Sequence, residues 1–400
     1  MAEKYPLDAG RLPHEIFAAR RSSDRLGEVE VPSGDLVRLA VCYEDVRIVL
    51  SDSRFSTDPC LHGAPRFRAS SSDSADAIFH KDPPELNRLR RLVSGALGPR
   101  RLEQWRPRVE AIADRLLDVM LRGSEPADLS EAYAFPLPLH VMCSLLGVPA
   151  EDIDRFRGWS DAFISTTSLA PGERDTRMQE FNHYLVDLIA ARRRSADREG
   201  LLDSLIEARD SAGRLSEEEL VMLVRQLIIA GHETVATTIG RGAFALLRRP
   251  ERYVALCREP ELLEPAVEEI LRYEFVGSNS LIRIAREDVE LPSGTIPRGT
   301  GVIVSLASAN RDEQAFDDPD KFDIRRIDNP HLAFGAGPHF CLGAGLARLE
   351  LQVAFRALTR TVPELRLAVM PKEITFVSGL QMRRVERLPV IWQHGLENTP

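Results

Sequence analysis

The feature that most constrains the fold is a long segment near the middle of the chain, SEEELVMLVRQLIIAGHETVATTIGRGAFALLR, which covers residues 216–248. Its apolar residues recur with helical spacing, and Ser216 with Glu219 three residues later has the pattern of a capping box. Charged side chains at Arg225 and Glu233 interrupt its most apolar part, which we therefore expect to be too short and too charged to span a bilayer. The segment predicts a long central helix.

Helical spacing also dominates the rest of the chain, and short alternating runs predict only a few strands. The helical segments cover roughly residues 103–122, 177–194, 261–274 and 343–361, and the strand-like runs cover 35–42 and 300–308. Low complexity is confined to residues 69–77, a polar loop, and there is neither an internal repeat nor a long linker. We therefore predict a mainly α fold with a minor β portion, in one domain over residues 1–400.

Composition excludes several classes of protein. The 400 residues are 44% apolar and 28% charged, as in a soluble globular protein, and a formal net charge of −9 argues against a general nucleic-acid binder. The five cysteines are widely dispersed without a CxxC pair, which indicates a reducing compartment. The N-terminal residues hold no apolar core of signal-peptide length. We expect a cytoplasmic protein without a membrane anchor.

A single cysteine lies among three glycines in the segment FGAGPHFCLG, residues 334–343, directly before a helical pattern. At a helix start, the helix dipole and free N–H groups favour the thiolate of Cys341. The glycines let the backbone turn tightly and approach something flat and bulky. From the residues alone, Cys341 could also be a buried structural cysteine or a nucleophile oriented by His339, whereas a zinc site lacks the ligands it needs.

The central helix contains the stretch AGHET, residues 230–234, in which Glu233 places an acid beside the hydroxyl of Thr234. A threonine inside a helix can bond the carbonyl one turn back, and an acid beside a hydroxyl in an apolar helix suits proton delivery. A solvated helix face is the alternative interpretation. Ala236 stands where a HExxH metalloprotease has its second histidine, so that class is excluded.

Glu269 and Arg272 lie three residues apart on one face of the helical segment AVEEILRYEF. At that spacing they could form a charge-assisted pair. As an isolated surface pair, the same contact would contribute little to stability.

Taken together and in this order, these stretches resemble the cytochrome P450 family, specifically its soluble bacterial members. FGAGPHFCLG is similar to the family's haem-ligand loop F-x-x-G-x-x-x-C-x-G, AGHET to its oxygen-activating helix motif, and Glu269–Arg272 to its E-x-x-R pair. PDKFDIRR (319–326), DPPELNRLRRLV (82–93) and IRIAREDVEL (282–291) are similar to further segments of the family. The similarity runs from about residue 80 to residue 390.

The resemblance implies that Cys341 is the axial thiolate, and hence the iron ligand, of a haem b between the central helix and the helix after the cysteine. The other haem-binding positions that it implies are Arg90, Arg283, Phe334, Gly335, His339 and Gly343. Among these, Phe334 would shield the sulfur, and the two arginines with His339 would pair with the haem propionates. Leu86 stands where the family usually has a hydrogen-bonding residue, so we expect one propionate contact to be lost.

The implied activity is that of a monooxygenase, which activates O₂ and inserts one oxygen atom into a small organic substrate by hydroxylation or epoxidation. Glu233 and Thr234 would be the catalytic pair that delivers protons. Glu269, Arg272 and Arg326 would form a structural network behind the haem, with Arg325 as the alternative to Arg326.

No flavin or iron–sulfur module is recognisable, so the resemblance implies a separate ferredoxin with its NAD(P)H-dependent reductase. Residues 86–108 hold seven arginines and one acid, Glu103. Such a basic patch in an acidic protein would steer an acidic ferredoxin, and a solvated helix face is the alternative. The candidate contacts are Arg91, Arg100 and Arg101. We expect the chain to act as a monomer.

The resemblance places substrate-binding positions at Ile229, Ala230, Asn279 and Leu281. The surrounding stretches carry many polar groups, namely Arg66, Arg68 and residues 165–168 and 277–280. A site that hydrogen-bonds its substrate leaves such groups available, so we expect a polar or bulky natural-product intermediate, as in antibiotic biosynthesis. The alternative is that these loops face water.

Two further functions are compatible with the resemblance. One is a haem-thiolate enzyme that uses peroxide or catalyses coupling or desaturation, and the other is a non-catalytic haem sensor. The intact Glu233–Thr234 pair favours the O₂-dependent monooxygenase, because peroxide users can dispense with that relay.

Overall fold

The structure is a computed structural model of the chain. It describes residues 2–5, 13–61, 64–66, 78–95, 97–149, 152–164, 169–170, 172–195, 200–211, 214–275, 282–377, 382 and 384–392. The low-complexity stretch 69–77, the substrate-binding positions Asn279 and Leu281, Arg68, and the polar stretches 165–168 and 277–280 lie outside the described residues.

Helices dominate the described residues, as predicted. They are α1 Pro13–Ser23, α2 Tyr43–Ser51, α3 Glu85–Ser94, α4 Pro99–Leu121, α5 Pro136–Leu146, α6 Ile153–Ile164, α7 Glu173–Arg194, α8 Leu201–Asp210, α9 Glu217–Leu247, α10 Pro250–Arg258, α11 Leu263–Tyr273, α12 Leu306–Ala309 and α13 Ala344–Thr361. Each helix predicted from spacing is present, with ends that differ by a few residues from the predicted ones.

The predicted capping box opens α9. The Ser216 side chain accepts a hydrogen bond from the Glu219 N–H at 3.1 Å, and the Glu219 carboxylate accepts one from the Ser216 N–H at 2.7 Å. The expectation that this segment is too short for a bilayer is wrong, because α9 is long and apolar enough to cross one by length and composition. Since 67% of its most apolar window is buried inside the protein, α9 has the burial of a core helix.

The strands form small sheets. They are β1 Glu3–Lys4, β2 Glu28–Glu30, β3 Leu36–Ala40, β4 Phe55–Ser56, β5 Ala127–Asp128, β6 Ile282–Ala285, β7 Val289–Leu291, β8 Gly294–Ile296, β9 Gly301–Val304, β10 Arg366–Leu367 and β11 Pro389–Ile391. A six-stranded sheet has the order β1-β2-β3-β9-β6-β4, a three-stranded sheet has the order β10-β11-β5, and β7 pairs with β8.

The strand predicted over residues 300–308 is only half right. It ends at Val304, and α12 begins two residues later. The buried Ser305 side chain accepts a hydrogen bond from the Ser308 N–H at 3.2 Å and so caps α12. The alternation of apolar residues predicts a strand through residue 308, but this side-chain cap starts a helix instead.

The chain divides into two compact units. The first comprises residues 1–91, 271–322 and 327–342, and the second comprises residues 92–270, 323–326 and 343–400. The prediction of one domain over residues 1–400 stays a prediction.

The six-stranded sheet organises the first unit. Its β9 is buried along its whole length and pairs in parallel with β3 and antiparallel with β6, so that Val302 lies between Arg38 and Arg283. An apolar cluster that includes Val37, Leu39 and Ile303 covers part of this sheet. Arg283 is thereby fixed on a strand in the interior of the sheet.

Helix packing organises the second unit, with α9 at its centre. A Cβ at Gly242 of α9 would lie 2.8 Å from Phe355 on α13 and 2.8 Å from Ile270 on α11. Since real Cβ atoms do not approach so closely, glycine is what lets these helices come together here. The position of α9 determines where AGHET lies.

Candidate functional site

The cysteine loop, residues 334–342, belongs to the first unit and has a constrained backbone. The Cys341 N–H donates to the Phe334 carbonyl at 2.8 Å, and Gly335 and Gly337 have φ angles of +71° and +67°. A Cβ at Gly337 would lie 2.5 Å from the Leu50 carbonyl oxygen. This loop holds the Cys341 side chain exposed rather than buried, which excludes the structural-cysteine alternative.

The helix predicted after the cysteine begins where the sequence indicates. Gly343 is the N-cap residue of α13, and its carbonyl accepts the first hydrogen bond of the helix from the Ala347 N–H at 2.9 Å. Phe334 is half-buried and its ring contacts those of His331 and Phe340.

The predicted propionate-binding residues of the first unit lie together. Arg283 is 4% exposed, and within the described residues its guanidinium makes no hydrogen bond or ion pair. Burial lowers its pKa to about 10, against the opposing effect of Asp82. Burial also lowers the pKa of His339 to about 4, and the charges of Arg283 and Arg90 add to that effect. A buried cation without a counterion is costly, so this cluster suits an anionic ligand.

Asp82, the nearby acid, is already engaged by other groups. The Ser56 hydroxyl donates to it in a short hydrogen bond, the Thr57 N–H donates at 3.0 Å, and Arg286 donates at 2.6 Å. Thr57 Oγ1 also lies 3.4 Å from His339 Nε2. Asp82 therefore anchors this region and leaves the cluster positive.

Leu86 is 1% exposed, in the interior of the protein. Its side chain packs as a core residue and offers no hydrogen bond. The loss of a propionate contact at this position stays a prediction.

Glu233, in the second unit, is 0% exposed, which rules out the solvated-face interpretation. Its carboxylate accepts hydrogen bonds from Arg384 at 3.2 Å and from the Ser160 hydroxyl at 3.3 Å. Burial raises the pKa of Glu233, Arg384 lowers it, and Asp161 raises it. The carboxyl therefore releases its proton less readily than an exposed one would.

Thr234 is half-buried, and its Oγ1 donates to the Ala230 carbonyl at 2.7 Å, as expected of a threonine inside a helix. The structure thus places the acid and the hydroxyl on neighbouring residues with different hydrogen-bond partners. Of the substrate-binding positions on α9, Ile229 is buried and Ala230 is exposed. The Arg66 side chain is exposed.

Arg384 and Asp161 were missed by sequence reasoning. Arg384 is 151 positions from Glu233 along the chain and donates to Asp161 at 2.8 Å as well. No local pattern connects residues so far apart, so only the tertiary fold reveals this contact.

The Glu269 side chain is fully buried, in contrast to a surface pair. It accepts hydrogen bonds from the Asp323 N–H at 2.8 Å and from Arg326 Nε at 3.2 Å, whereas Arg325 pairs with Glu259. Arg326, rather than Arg325, is therefore the arginine that contacts Glu269.

Arg272 is also buried, within the first unit. Its guanidinium donates to the carbonyls of Asn310 and Pro319, both at 2.8 Å, and of Lys321 at 3.1 Å. These bonds tie α11 to the backbone at residues 310 and 319–321, which is a structural role.

The candidate docking residues Arg91, Arg100 and Arg101 are exposed. Two other arginines of the same stretch form local ion pairs, Arg88 with Glu85 and Arg106 with Glu103. Local acids thus neutralise part of this basic stretch.

Comparison with known proteins decides the family. The family model of cytochrome P450 matches residues 161–373. The chain belongs to the cytochrome P450 family. Cytochrome P450 monooxygenase PikC from Streptomyces venezuelae is 42% identical over 400 residues, covering 98% of this chain and 95% of that protein. Mycinamicin IV hydroxylase/epoxidase from Micromonospora griseorubida is 41% identical over 378 residues, with 94% of each chain covered.

Solved P450 structures share the fold. The LnmA cytochrome P450 hydroxylase from the leinamycin biosynthetic pathway of Streptomyces atroolivaceus has a TM-score of 0.90 at 42% identity, covering 98% of this chain and 100% of that one. The predicted fold class and family are confirmed. This P450 is an oxidoreductase of the monooxygenase type and binds haem b through a cysteine ligand. Bacterial P450s of this type use redox partners and a substrate.

The residues present suit haem b. The buried guanidinium of Arg283, which makes no hydrogen bond or ion pair within the described residues, suits the two propionate carboxylates together with Arg90 and His339. The exposed thiol of Cys341 suits an axial ligand, and the loop backbone before it is held in one conformation. An anionic group would remove the cost of burying Arg283.

Proposed function

We propose that this P450 hydroxylates or epoxidises a polar or bulky natural-product intermediate, with Cys341 as its haem ligand. The observation that carries the proposal is the exposed Cys341 thiol on a loop of constrained backbone directly before α13. The names of the relatives support the substrate class, since they include a mycinamicin IV hydroxylase/epoxidase and a hydroxylase from leinamycin biosynthesis.

Bound haem supplies O₂ activation, which thiolate ligation favours. Arg90, Arg283 and His339 hold the propionates and so orient the macrocycle. Phe334 would shield the sulfur when haem is bound, which would help to set the electronic properties of the sulfur.

The catalytic pair moves protons. Glu233 takes up a proton at its carboxylate and releases it again, and burial raises the pKa of this carboxyl above its ordinary value. Thr234 passes protons onward through its Oγ1, whose hydrogen bond to the Ala230 carbonyl positions the hydroxyl. Glu269, Arg272 and Arg326 maintain the fold behind the haem and take no part in the chemistry.

Electrons come from a separate ferredoxin with its NAD(P)H-dependent reductase. The exposed Arg91, Arg100 and Arg101 provide positive charge for an acidic partner. The protein acts in the cytoplasm as a monomer in a single functional domain.

Three measurements test the proposal, namely the CO-difference spectrum, isotope-labelled turnover and spectral ligand binding. The CO-difference spectrum of the reduced protein should show the red-shifted Soret band of thiolate ligation and lose it in Cys341→Ser. Turnover with a surrogate ferredoxin and reductase should place ¹⁸O from ¹⁸O₂ in the product. A product without the label would favour the peroxide-using, coupling or desaturating alternative, and spectral binding of hydrocarbons alone would exclude the polar substrate class.

A further inference from the structure

Helix α3 offers the haem one hydrogen-bonding side chain fewer than the resemblance leads us to expect. Leu86 stands at the position that usually carries this side chain, and it is only 1% exposed. Arg90, one helical turn later on the same face of α3, is half-buried and is the proposed propionate partner that α3 retains. Unless another residue supplies a donor beside Arg90, the haem is held with one contact fewer.

His80 lies before α3, at the end of the 3₁₀ turn Ile78–His80. The Lys81 N–H donates to the Ile78 carbonyl at 3.4 Å and closes this turn. The His80 side chain is half-buried, and its Nδ1 atom is buried. Buried polar atoms in native proteins are almost always paired, so we expect this ring to face a polar group in the holoenzyme.

The buried Thr57 joins this turn to His339. Thr57 Oγ1 lies 3.4 Å from the Lys81 carbonyl oxygen and 3.4 Å from His339 Nε2, and the Thr57 N–H donates to Asp82 at 3.0 Å. The backbone directly after His80 and the ring of His339 thus lie on two sides of one hydroxyl group. Since His339 is a proposed propionate partner, this geometry brings the His80 segment to the propionate-binding residues.

The charged groups of this region lie close together. Arg283, Arg90 and His80 are each near enough for their charge to act on the His339 ring. Asp82 is the acid beside them, and the hydrogen bonds described above already engage its carboxylate. Groups that carry positive charge repel one another unless an anion lies among them. A haem propionate is an anion of the kind that this cluster suits.

We propose that His80 donates to a haem propionate the hydrogen bond that Leu86 cannot supply, so that the turn before α3 replaces a side chain of α3. The inference rests on the proposed function, because it concerns the haem that Cys341 ligates. His80 is thereby a haem-binding residue that holds one edge of the macrocycle. No motif of the sequence marks it.

A histidine suits this role in either protonation state. The neutral ring has one N–H group and the protonated ring has two, so a donor is always present. A hydrogen bond to a carboxylate is about twice as strong as one between neutral groups. The proposal makes positions 80 and 86 alternative sources of one donor, and this equivalence can be tested.

The rate of haem loss measures the contact. Ferric holoenzyme is mixed with excess apomyoglobin, and the transfer of haem is followed by absorbance. His80→Leu should lose haem about tenfold faster than the native protein, because it removes a hydrogen bond to a charged group. His80→Gln keeps an N–H donor and should lose haem at close to the native rate. The matched control His183→Leu, at an exposed position on α7, should equal the native protein.

Two outcomes of the haem-loss measurement overturn the proposal. One is an equal rate in His80→Leu and in the native protein. The other is an equal acceleration in His80→Leu and His80→Gln, because that result would show that the shape of the histidine matters rather than its N–H group.

A second substitution tests the compensation directly. In the His80→Leu background, Leu86→His should bring haem loss back towards the native rate, whereas in the native background it should have a much smaller effect. Because Leu86 is buried, far-UV circular dichroism must first show that each Leu86→His variant folds. Additive effects of the two substitutions in folded variants would contradict the exchange of one donor for the other.

Resonance Raman spectra give a measurement that does not depend on Leu86→His. The bending bands of the haem propionates report their hydrogen bonds, and they should shift in His80→Leu but not in His80→Gln or His183→Leu. Unchanged propionate bands in His80→Leu would refute the contact.

This inference and the proposed function fail separately. A missing thiolate band in the CO-difference spectrum of the native protein would overturn the proposed function. A normal thiolate band, together with native haem loss and unchanged propionate bands in His80→Leu, would overturn this inference alone.

Discussion

Arg326 Nε lies 3.2 Å from Glu269 Oε2, and the two side chains are only 10% and 0% exposed. Both residues belong to the second unit, where residues 323–326 are the short segment that meets α11. The adjacent Arg325 is 53% exposed and pairs instead with Glu259, which is 40% exposed. We therefore expect the two neighbouring arginines to differ greatly in their contribution to the stability of the fold.

Replacing Arg326 should destabilise the protein strongly. Arg326→Leu removes a cation from the buried Glu269 carboxylate, which costs about 3–5 kcal/mol. The matched control, Arg325→Leu, breaks an exposed pair and should cost at most about 1 kcal/mol. Denaturant unfolding of both variants measures the difference, and equal losses would contradict the structural role of Arg326.

Gly337→Ala should disrupt the cysteine loop. The new Cβ would overlap the Leu50 carbonyl oxygen at a residue with a φ of +67°, which we expect to cost about 2–5 kcal/mol. The measurement is the fraction of protein that gives the thiolate CO spectrum. Gly299→Ala, at a φ of +82° with no atom near its Cβ, is the control and should cost only the backbone strain of about 1–2 kcal/mol.

Stability should fall in acid because of His232. Burial lowers its pKa to about 3, from an ordinary value of 6.5, so the folded protein keeps this ring neutral while the unfolded chain protonates it. The contribution of His232 to the free energy of unfolding is therefore complete above pH 6.5 and is lost as the pH falls towards 3. The free energy of unfolding changes by up to about 1.4 kcal/mol per pH unit in this range.

His232→Phe tests this pH dependence, because Phe keeps the edge contact with Phe135 and cannot take up a proton. Denaturant unfolding at several pH values should give a flatter profile below pH 6.5 than in the native protein. His183→Phe, at an exposed position on α7, should leave the profile unchanged. An identical slope in His232→Phe would show that other groups cause the acid sensitivity.

Glu350 should weaken the fold at high pH. Both of its carboxyl oxygens are buried without a hydrogen-bond partner among the described residues, and burial raises its pKa well above the ordinary value. The folded protein therefore holds a proton that the unfolded chain releases above pH 4.5. The free-energy cost of burying Glu350 consequently grows as the pH rises.

Glu350→Met should therefore raise the free energy of unfolding, by about 1–3 kcal/mol at pH 8 and by less at pH 5. Glu180→Met, at an exposed position on α7, should have little effect at either pH. Destabilisation by Glu350→Met at pH 8 would contradict the cost assigned to this carboxyl.

Charge reversal on the predicted docking surface should slow electron transfer. Arg91, Arg100 and Arg101 changed together to Glu should reduce the rate of reduction by ferredoxin, most strongly at low salt, because steering depends on charge. Reduction by dithionite should not change. Arg122→Glu, an exposed reversal outside this stretch, should match the native rate, and equal slowing with dithionite would exclude docking as the cause.

Local sequence determined much of this protein. Three local features could be predicted from the sequence. They are the capping box at Ser216 and Glu219, the spacing of apolar residues in α9 and α13, and the glycine pattern around Cys341. Each acts over one or two helical turns, so the residues that decide it are neighbours in the chain. The family followed from the same local motifs, because their order along the chain is specific.

Only the tertiary structure decided which distant groups meet. It placed Arg384 beside Glu233, and it placed Arg326 rather than Arg325 beside Glu269. It also showed that Ser305 caps a helix at a point where the alternation of apolar residues predicts that the strand continues. The environment of a charge depends on burial and on partners from other elements, and neither has a periodic signature in the sequence. A cavity beside Glu233 is the clearest case, because elements far apart in the chain each supply part of its wall.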